Sequence, residues 1–269
     1  MIYLKLSTAI DQYISSILPT KSQSQENMQT GQLRYWKSKL GDYRINQITP
    51  EMISSNLPDR SPATKNRYLS ALSSVYNNNG QEIKVKRYRE KGRVRFLSSD
   101  ERTALLQASK KSSNPHLYCL VVLSLSTGAR QSEALKLEWN RVDLDRGLIY
   151  LTDTKNNEPR MVPIGGHALE LIEKLPRTSK YVFPSKFGSY YRDMDYHWRK
   201  VLGESGITDF RWHDMRHTAA SYLSMAGVDL PTIGKILGHK SLSSTMRYVH
   251  LSVDHLRGVL GNLNDMMFP

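Results

Sequence analysis

The last third of the chain gathers side chains that can bind an anion and move a proton. His213, Asp214, Met215, Arg216 and His217 run together, Leu237-Gly238-His239 follows, and Arg247-Tyr248 comes next. A tyrosine hydroxyl releases its proton only near pH ~10. Tyr248 can therefore attack an anionic centre at neutral pH only with a base and clustered cations beside it, and this segment offers both. His213 and Arg216 stand three apart, so a helix would present a proton acceptor and a guanidinium on one face. A guanidinium keeps its charge and offers a planar fork of donors suited to oxyanions. Histidine exchanges protons at neutral pH.

With Thr127-Gly128-Ala129-Arg130 upstream, and Lys155 ahead of the β-rich Arg160-Met161-Val162-Pro163-Ile164, this order of residues resembles the tyrosine recombinases. These are the integrase family, which cuts and rejoins DNA through a phosphotyrosine. The resemblance is strongest over residues 120–250, while Ser61-Pro62-Ala63-Thr64-Lys65-Asn66-Arg67 is similar to the family's core-site-binding domain. It implies a site-specific DNA recombinase that integrates or excises a mobile element such as a phage. A Xer-like resolvase, and at greater distance a type IB topoisomerase, share that chemistry.

The resemblance also implies roles. Arg130 and Arg216 would clamp the phosphate, whose extra transition-state charge makes preorganised cations the largest source of stabilisation. His213 would assist deprotonation of Tyr248 and His239 would donate a hydrogen bond to a phosphate oxygen; the choice of principal base stays open. Lys155 would protonate the departing 5′ oxygen. Glu133, three residues after Arg130, occupies the family's acidic position and would orient its neighbours. The product is a 3′-phosphotyrosyl bond and a free 5′-hydroxyl, a step that needs no cofactor and no metal. The implied partners are double-stranded DNA and further copies of the chain: a homotetramer on paired sites, a monomer or dimer off DNA.

Composition agrees with a polyanion partner, since 269 residues carry a formal charge of +13 and such a field attracts phosphate backbones. The apolar run around residues 116–123 falls far short of the ~20 residues that span a bilayer. The N-terminus lacks a charged-then-apolar leader, so a cytoplasmic protein with no membrane partner is expected. The lone Cys119 reads as a small buried hydrophobe.

The elements that must position these groups read as a mainly α protein with a small β-sheet or hairpin. Residues 1–83 form a helical core-site DNA-binding domain of about four helices. One carries Ile10, Tyr13, Ile14 and Ile17, another Met28, Leu33, Trp36 and Leu40, and Thr49-Pro50 and Ser61-Pro62 open two more. Residues 84–95 contain seven Lys or Arg against one Glu and read as a basic interdomain linker that grips DNA through Lys86, Arg87, Arg89 and Lys91. Residues 96–269 form the catalytic domain. It opens on the capping-box pattern Ser98 to Glu101, includes a hairpin with Lys155 at its tip, and ends in a tail whose Val253, Leu256, Val259, Leu260 and Leu263 make an apolar stripe suited to a neighbouring subunit. The first helix starts too near Met1 for the arm-binding domain many phage integrases carry, so a simpler recombinase or a shortened chain is expected.

Two other readings compete. His213 and His217, four apart, superficially match a zincin pair, although Asp214 stands where that motif needs Glu and Arg216 would set a cation beside the metal. A non-catalytic DNA-binding regulator would use the basic run and the helical domain but leave the ordered Arg, Lys, His, Arg, His, Tyr set without a purpose.

Overall fold

The computed structural model describes residues 4–90, 92–152 and 159–252, with Leu260, Leu263, Met266 and Met267. Lys91, Lys155 and most of the apolar tail lie outside the described residues. The chain divides into two compact units, Met1–Gly92 and Arg93–Pro269, a division that falls inside the basic run.

The first unit is helical: α1 (Leu6–Ser16), α2 (Gln23–Leu40), α3 (Pro50–Ser55) and α4 (Pro62–Asn78). Thr49 and Ser61 cap α3 and α4 by accepting from the backbone N–H groups of Met52 and Thr64, and proline follows each cap where its missing N–H costs nothing. Leu6, Ile10, Leu33, Trp36, Leu69, Leu72 and Val75 form the core. Trp36 also donates its indole N–H to the carbonyl of Tyr68 at 2.9 Å, which satisfies the one polar atom the ring buries. Met28, read as part of this apolar face, is instead exposed; it sits in the polar first half of α2, where Gln and Glu neighbours leave no stripe to join.

The basic run does not behave as one free linker. Arg87 donates to the carbonyl of Asn66 at 2.8 Å and to Ser70 and Ser73 at 3.0 and 3.2 Å, and Asn66 holds the backbone of Tyr88 from both sides. Residues up to 90 thus lie along α4. Arg93 belongs to the second unit, with Asp209 at 2.8 Å and the buried Asp214 at 2.7 Å, and Arg95 pairs with Glu101. Arg93 and Arg95 are occupied by carboxylates, Arg87 by α4, and Lys86 and Arg89 are exposed.

In the second unit α5 (Ser99–Lys110) begins on the expected reciprocal cap of Ser98 and Glu101. Next come α6 (Leu117–Thr127), α7 (Gln131–Leu135), a sheet of β1 (Val142–Asp143), β2 (Leu148–Thr152) and β3 (Pro159–Pro163), then α8 (Gly166–Glu173), α9 (Asp195–Ser205), α10 (Trp212–Met225) and α11 (Leu230–Leu237). Helix α6 is apolar almost all round and is packed by α5, α8 and α10, as an all-round apolar helix must be. Cys119 is buried in it, which pushes its thiol pKa up to about 12.

The sheet is antiparallel with order β1-β2-β3. Ile149, Leu151 and Val162 point into the core while Tyr150 and Met161 face outward, the two-residue alternation of a half-buried sheet. Two 3₁₀ segments, Leu242–Ser244 and Met246–Ser252, follow α11. Among the described residues, no helix is long and apolar enough to cross a membrane.

Candidate active site

Gly128 ends α6 with φ +63°, and a Cβ there would stand 2.3 Å from Leu237 Cδ2. Both the left-handed backbone and the close approach of α11 require glycine. The turn frees the Gly128 carbonyl to accept from Arg216 Nη1 at 3.0 Å and sets Arg130 at the start of α7. There Glu133 accepts from the Arg130 backbone N–H at 2.8 Å and from its Nη1 at 2.9 Å.

Glu133 is buried and serves a second arginine. Arg160, on β3, donates through Nη1 and Nη2 to the two carboxylate oxygens at 2.7 Å each, and through Nε to the carbonyl of Ile236 at 3.0 Å. Burial alone would raise the Glu133 pKa, but Arg160 and then Arg130 hold it below the usual carboxylate value. Arg160 also lies against Gly238, where an added Cβ would come within 2.8 Å of Arg160 Cδ. One arginine thus joins β3, the Arg130 turn and the end of α11. Glu133 accepts from both arginines, and Arg160 is a member of this network that reading the sequence missed.

Helix α10 contributes His213, Arg216 and His217. Arg216 is 3% exposed, and its Nη2 is buried with no hydrogen-bond partner among the described residues. Burial, then Arg130 and Arg160, lower its pKa to about 9. His213 has an exposed outer edge, yet desolvation by the surrounding protein followed by Arg216 and Arg130 lowers its pKa. His239 follows Gly238, the left-handed cap of α11, and pairs through Nδ1 with Thr245 Oγ1 at 2.8 Å. Burial, then Arg216 and Arg130, bring its pKa to about 4.

Tyr248 is 1% exposed. Its backbone is tied twice, the N–H to the Thr245 carbonyl at 3.0 Å and the carbonyl to Ser224 Oγ at 2.8 Å. Its hydroxyl meets His217 Nδ1 at 2.5 Å, so the histidine in contact with it is His217 and not His213. Burial raises the tyrosine pKa, with Arg247 and Arg216 opposing.

The structure therefore brings Arg130, His213, Arg216, His239 and Tyr248 together, and adds Glu133, Arg160 and His217. Beside them opens a cleft of about 290 Å³ lined by Arg130, Arg160, Lys235, His239 and Lys240, with Pro159, the first residue of β3. Lys86, Arg87 and Arg89 lie on the first unit. Arginines crowd His213 and His217, an environment that repels a divalent cation, and no grouping of His, Cys, Asp and Glu among the described residues could hold a metal ion.

The phage integrase family model matches residues 95–255. The integrase of Salmonella phage P22 is 31% identical over 219 residues, covering 72% of this chain and 55% of its own length, so the chain spans little more than half of that relative. The catalytic domain of bacteriophage HP1 integrase superposes with a TM-score of 0.52 at 31% identity, over 63% of this chain and 95% of that domain. A lambda integrase tetramer bound to a Holliday junction superposes with a TM-score of 0.74 at 18% identity, over 91% of this chain and 77% of that one, a likeness of fold that spans both units. With the family model matching more than half its length, this chain belongs to the phage integrase family, the tyrosine recombinases.

Proposed function

We propose that this chain is a site-specific DNA recombinase that cuts and rejoins strands through a 3′-phosphotyrosyl intermediate and moves a mobile element such as a phage. The observation that carries this reading is the buried, unpartnered Nη2 of Arg216, held near Arg130 beside a cationic cleft. A buried charged donor left unmade is costly, and a phosphate oxygen is the acceptor this surrounding favours.

Tyr248 Oη attacks phosphorus as its proton leaves, and the P–O5′ bond breaks. Arg130 and Arg216 hold the non-bridging oxygens as charge builds, while His213 and His239 border the phosphate. Lys155 protonates the 5′ oxygen. A different 5′-hydroxyl then attacks the phosphotyrosine and regenerates Tyr248, so the ester bond energy is conserved through exchange. Lambda integrase, solved as a tetramer on a Holliday junction, supports a homotetramer on paired duplex sites for this chain, with monomers or dimers off DNA. Exposure of Leu260 and Leu263 suits a tail that docks on a neighbour.

A nicked suicide duplex tests the nucleophile. Tyr248→Phe removes one oxygen and keeps the ring, so it should bind DNA yet form no covalent adduct. Adduct in that variant would mean that another residue attacks.

A further inference from the structure

We infer that His217 is the base that takes the proton from Tyr248 as the tyrosine attacks. This rests on the recombinase reading above and names a group that reading leaves open. His217 Nδ1 lies 2.5 Å from Tyr248 Oη, inside the range of a proton-transfer contact. His213, the more obvious choice by its position in the motif, meets His217 only ring to ring, with centroids 5.2 Å apart and planes perpendicular.

The surroundings suit acceptance. The contact is buried, with His217 8% exposed, so water does not compete for the tyrosine proton. The charged and titratable groups facing His217 are His213, Asp214 and Arg216 from its own helix, and Arg247 and Tyr248 from the segment packed on it. Burial above all, with His213 and then Arg247 and Arg216 adding to it, keeps the ring neutral at rest. A neutral ring with its proton on Nε2 presents a bare Nδ1 to the hydroxyl.

In the step, the Tyr248 O–H proton passes to His217 Nδ1 while the Oη–P bond forms and the P–O5′ bond breaks. The imidazolium that results gains from the negative charge then spread over the phosphate. His217 returns the proton to Tyr248 Oη when the incoming 5′-hydroxyl displaces it. No other reactant is required.

The test is His217→Asn. Asparagine places Oδ1 on the same Cγ that carries Nδ1, so it can accept the tyrosine hydrogen bond but cannot take the proton. Single-turnover adduct formation on the suicide duplex should fall about 10²–10⁴-fold with DNA binding unchanged. The residual rate should climb about tenfold per pH unit toward the tyrosine's own ionisation, whereas the wild-type rate stays level from about pH 7 to about pH 9. A variant that forms adduct at the wild-type rate with a wild-type pH profile overturns the inference and reduces His217 to a hydrogen-bond latch.

A second measurement does not depend on the variant folding: ¹⁵N-histidine NMR of the wild-type chain should report Nδ1 of His217 as the unprotonated nitrogen. A protonated Nδ1 also overturns the inference. Tyr248→Phe runs alongside, because adduct in that variant would sink the recombinase reading itself, separately from any outcome at His217.

Discussion

Arg160→Ala would remove the link that joins β3, the Arg130 turn and α11. The Glu133 carboxylate is 1% exposed and the Arg160 side chain 10% exposed, with both hydrogen bonds at 2.7 Å. Removing one partner of such a buried pair costs about 3–5 kcal/mol, because the remaining charge stays buried. Arg130 still donates to Glu133, which favours the low end, about 3 kcal/mol. In a unit of this size each kcal/mol moves Tm by about 2–4 °C, so a fall of about 6–12 °C is expected. Catalysis should suffer as well, since Arg130 loses the fixed position of its carboxylate; a misplacement of about 1 Å costs on the order of 10²-fold.

The two effects separate in the double variant Glu133→Leu with Arg160→Met. Apolar replacement of the whole pair should recover most of the stability, yet cleavage should stay low because nothing orients Arg130. The acid dependence has a fixed sign. Glu133 is held below its ordinary pKa, so the stability it contributes is present above its unfolded value of about 4.3 and is lost as pH falls through the folded value. The Tm gap between wild type and Arg160→Ala should therefore close in acid. Thermal unfolding across pH, with adduct formation measured well below both transitions, decides the matter. An Arg160→Ala chain that melts and cleaves like wild type would refute the reasoning.

Gly128→Ala must place a Cβ at positive φ, about 1–2 kcal/mol, and crowd Leu237 at 2.3 Å, which adds about 1–3 kcal/mol; calorimetry should show the destabilisation, and cleavage should fall further because the Gly128 carbonyl holds Arg216. Neutralising the exposed Lys86 and Arg89 should weaken cognate and random duplex alike and lower the slope of log affinity against log salt by about 0.9 for each phosphate no longer neutralised, whereas neutralising Arg93 should lower stability through Asp214. An unchanged salt slope in the Lys86 and Arg89 variant would make those cations a solvated face.

What the sequence displays plainly is what neighbours in the chain determine. The caps of α3, α4 and α5 rest on contacts a few residues apart, and each appears in the structure. Strand β1 escaped because two residues, Val142–Asp143, are too few to alternate. Arg93 counts with the basic run in the sequence because its carboxylate partners lie 116 and 121 residues away. Arg160 and His217 were visible as residues but not as roles. Their partners, Glu133 and Tyr248, stand 27 and 31 positions distant, and only folding brings them together. The set Arg130, His213, Arg216, His239, Tyr248 is read from its likeness to the tyrosine recombinases, a likeness of order along the chain that needs no individual contact to be visible.

The electrostatics of the pocket make one state serve two needs. Burial lowers the proton affinity of His213, His217 and His239 together, and the arginines that crowd this volume, Arg216 and Arg247 at all three, lower it further. Neutral histidines can accept a proton, which the tyrosine must lose, and still donate from the other ring nitrogen, which a phosphate oxygen requires. When a phosphate enters, its negative charge offsets the arginines and raises the proton affinity of the same rings. The substrate thereby makes the imidazolium easier to form at the moment it must form. Arg216 gains most, since its unpartnered Nη2 meets an acceptor and its crowding by Arg130 is relieved. On the proposed reading, a scissile phosphate is the anion this pocket favours, and its charge makes the same rings easier to protonate.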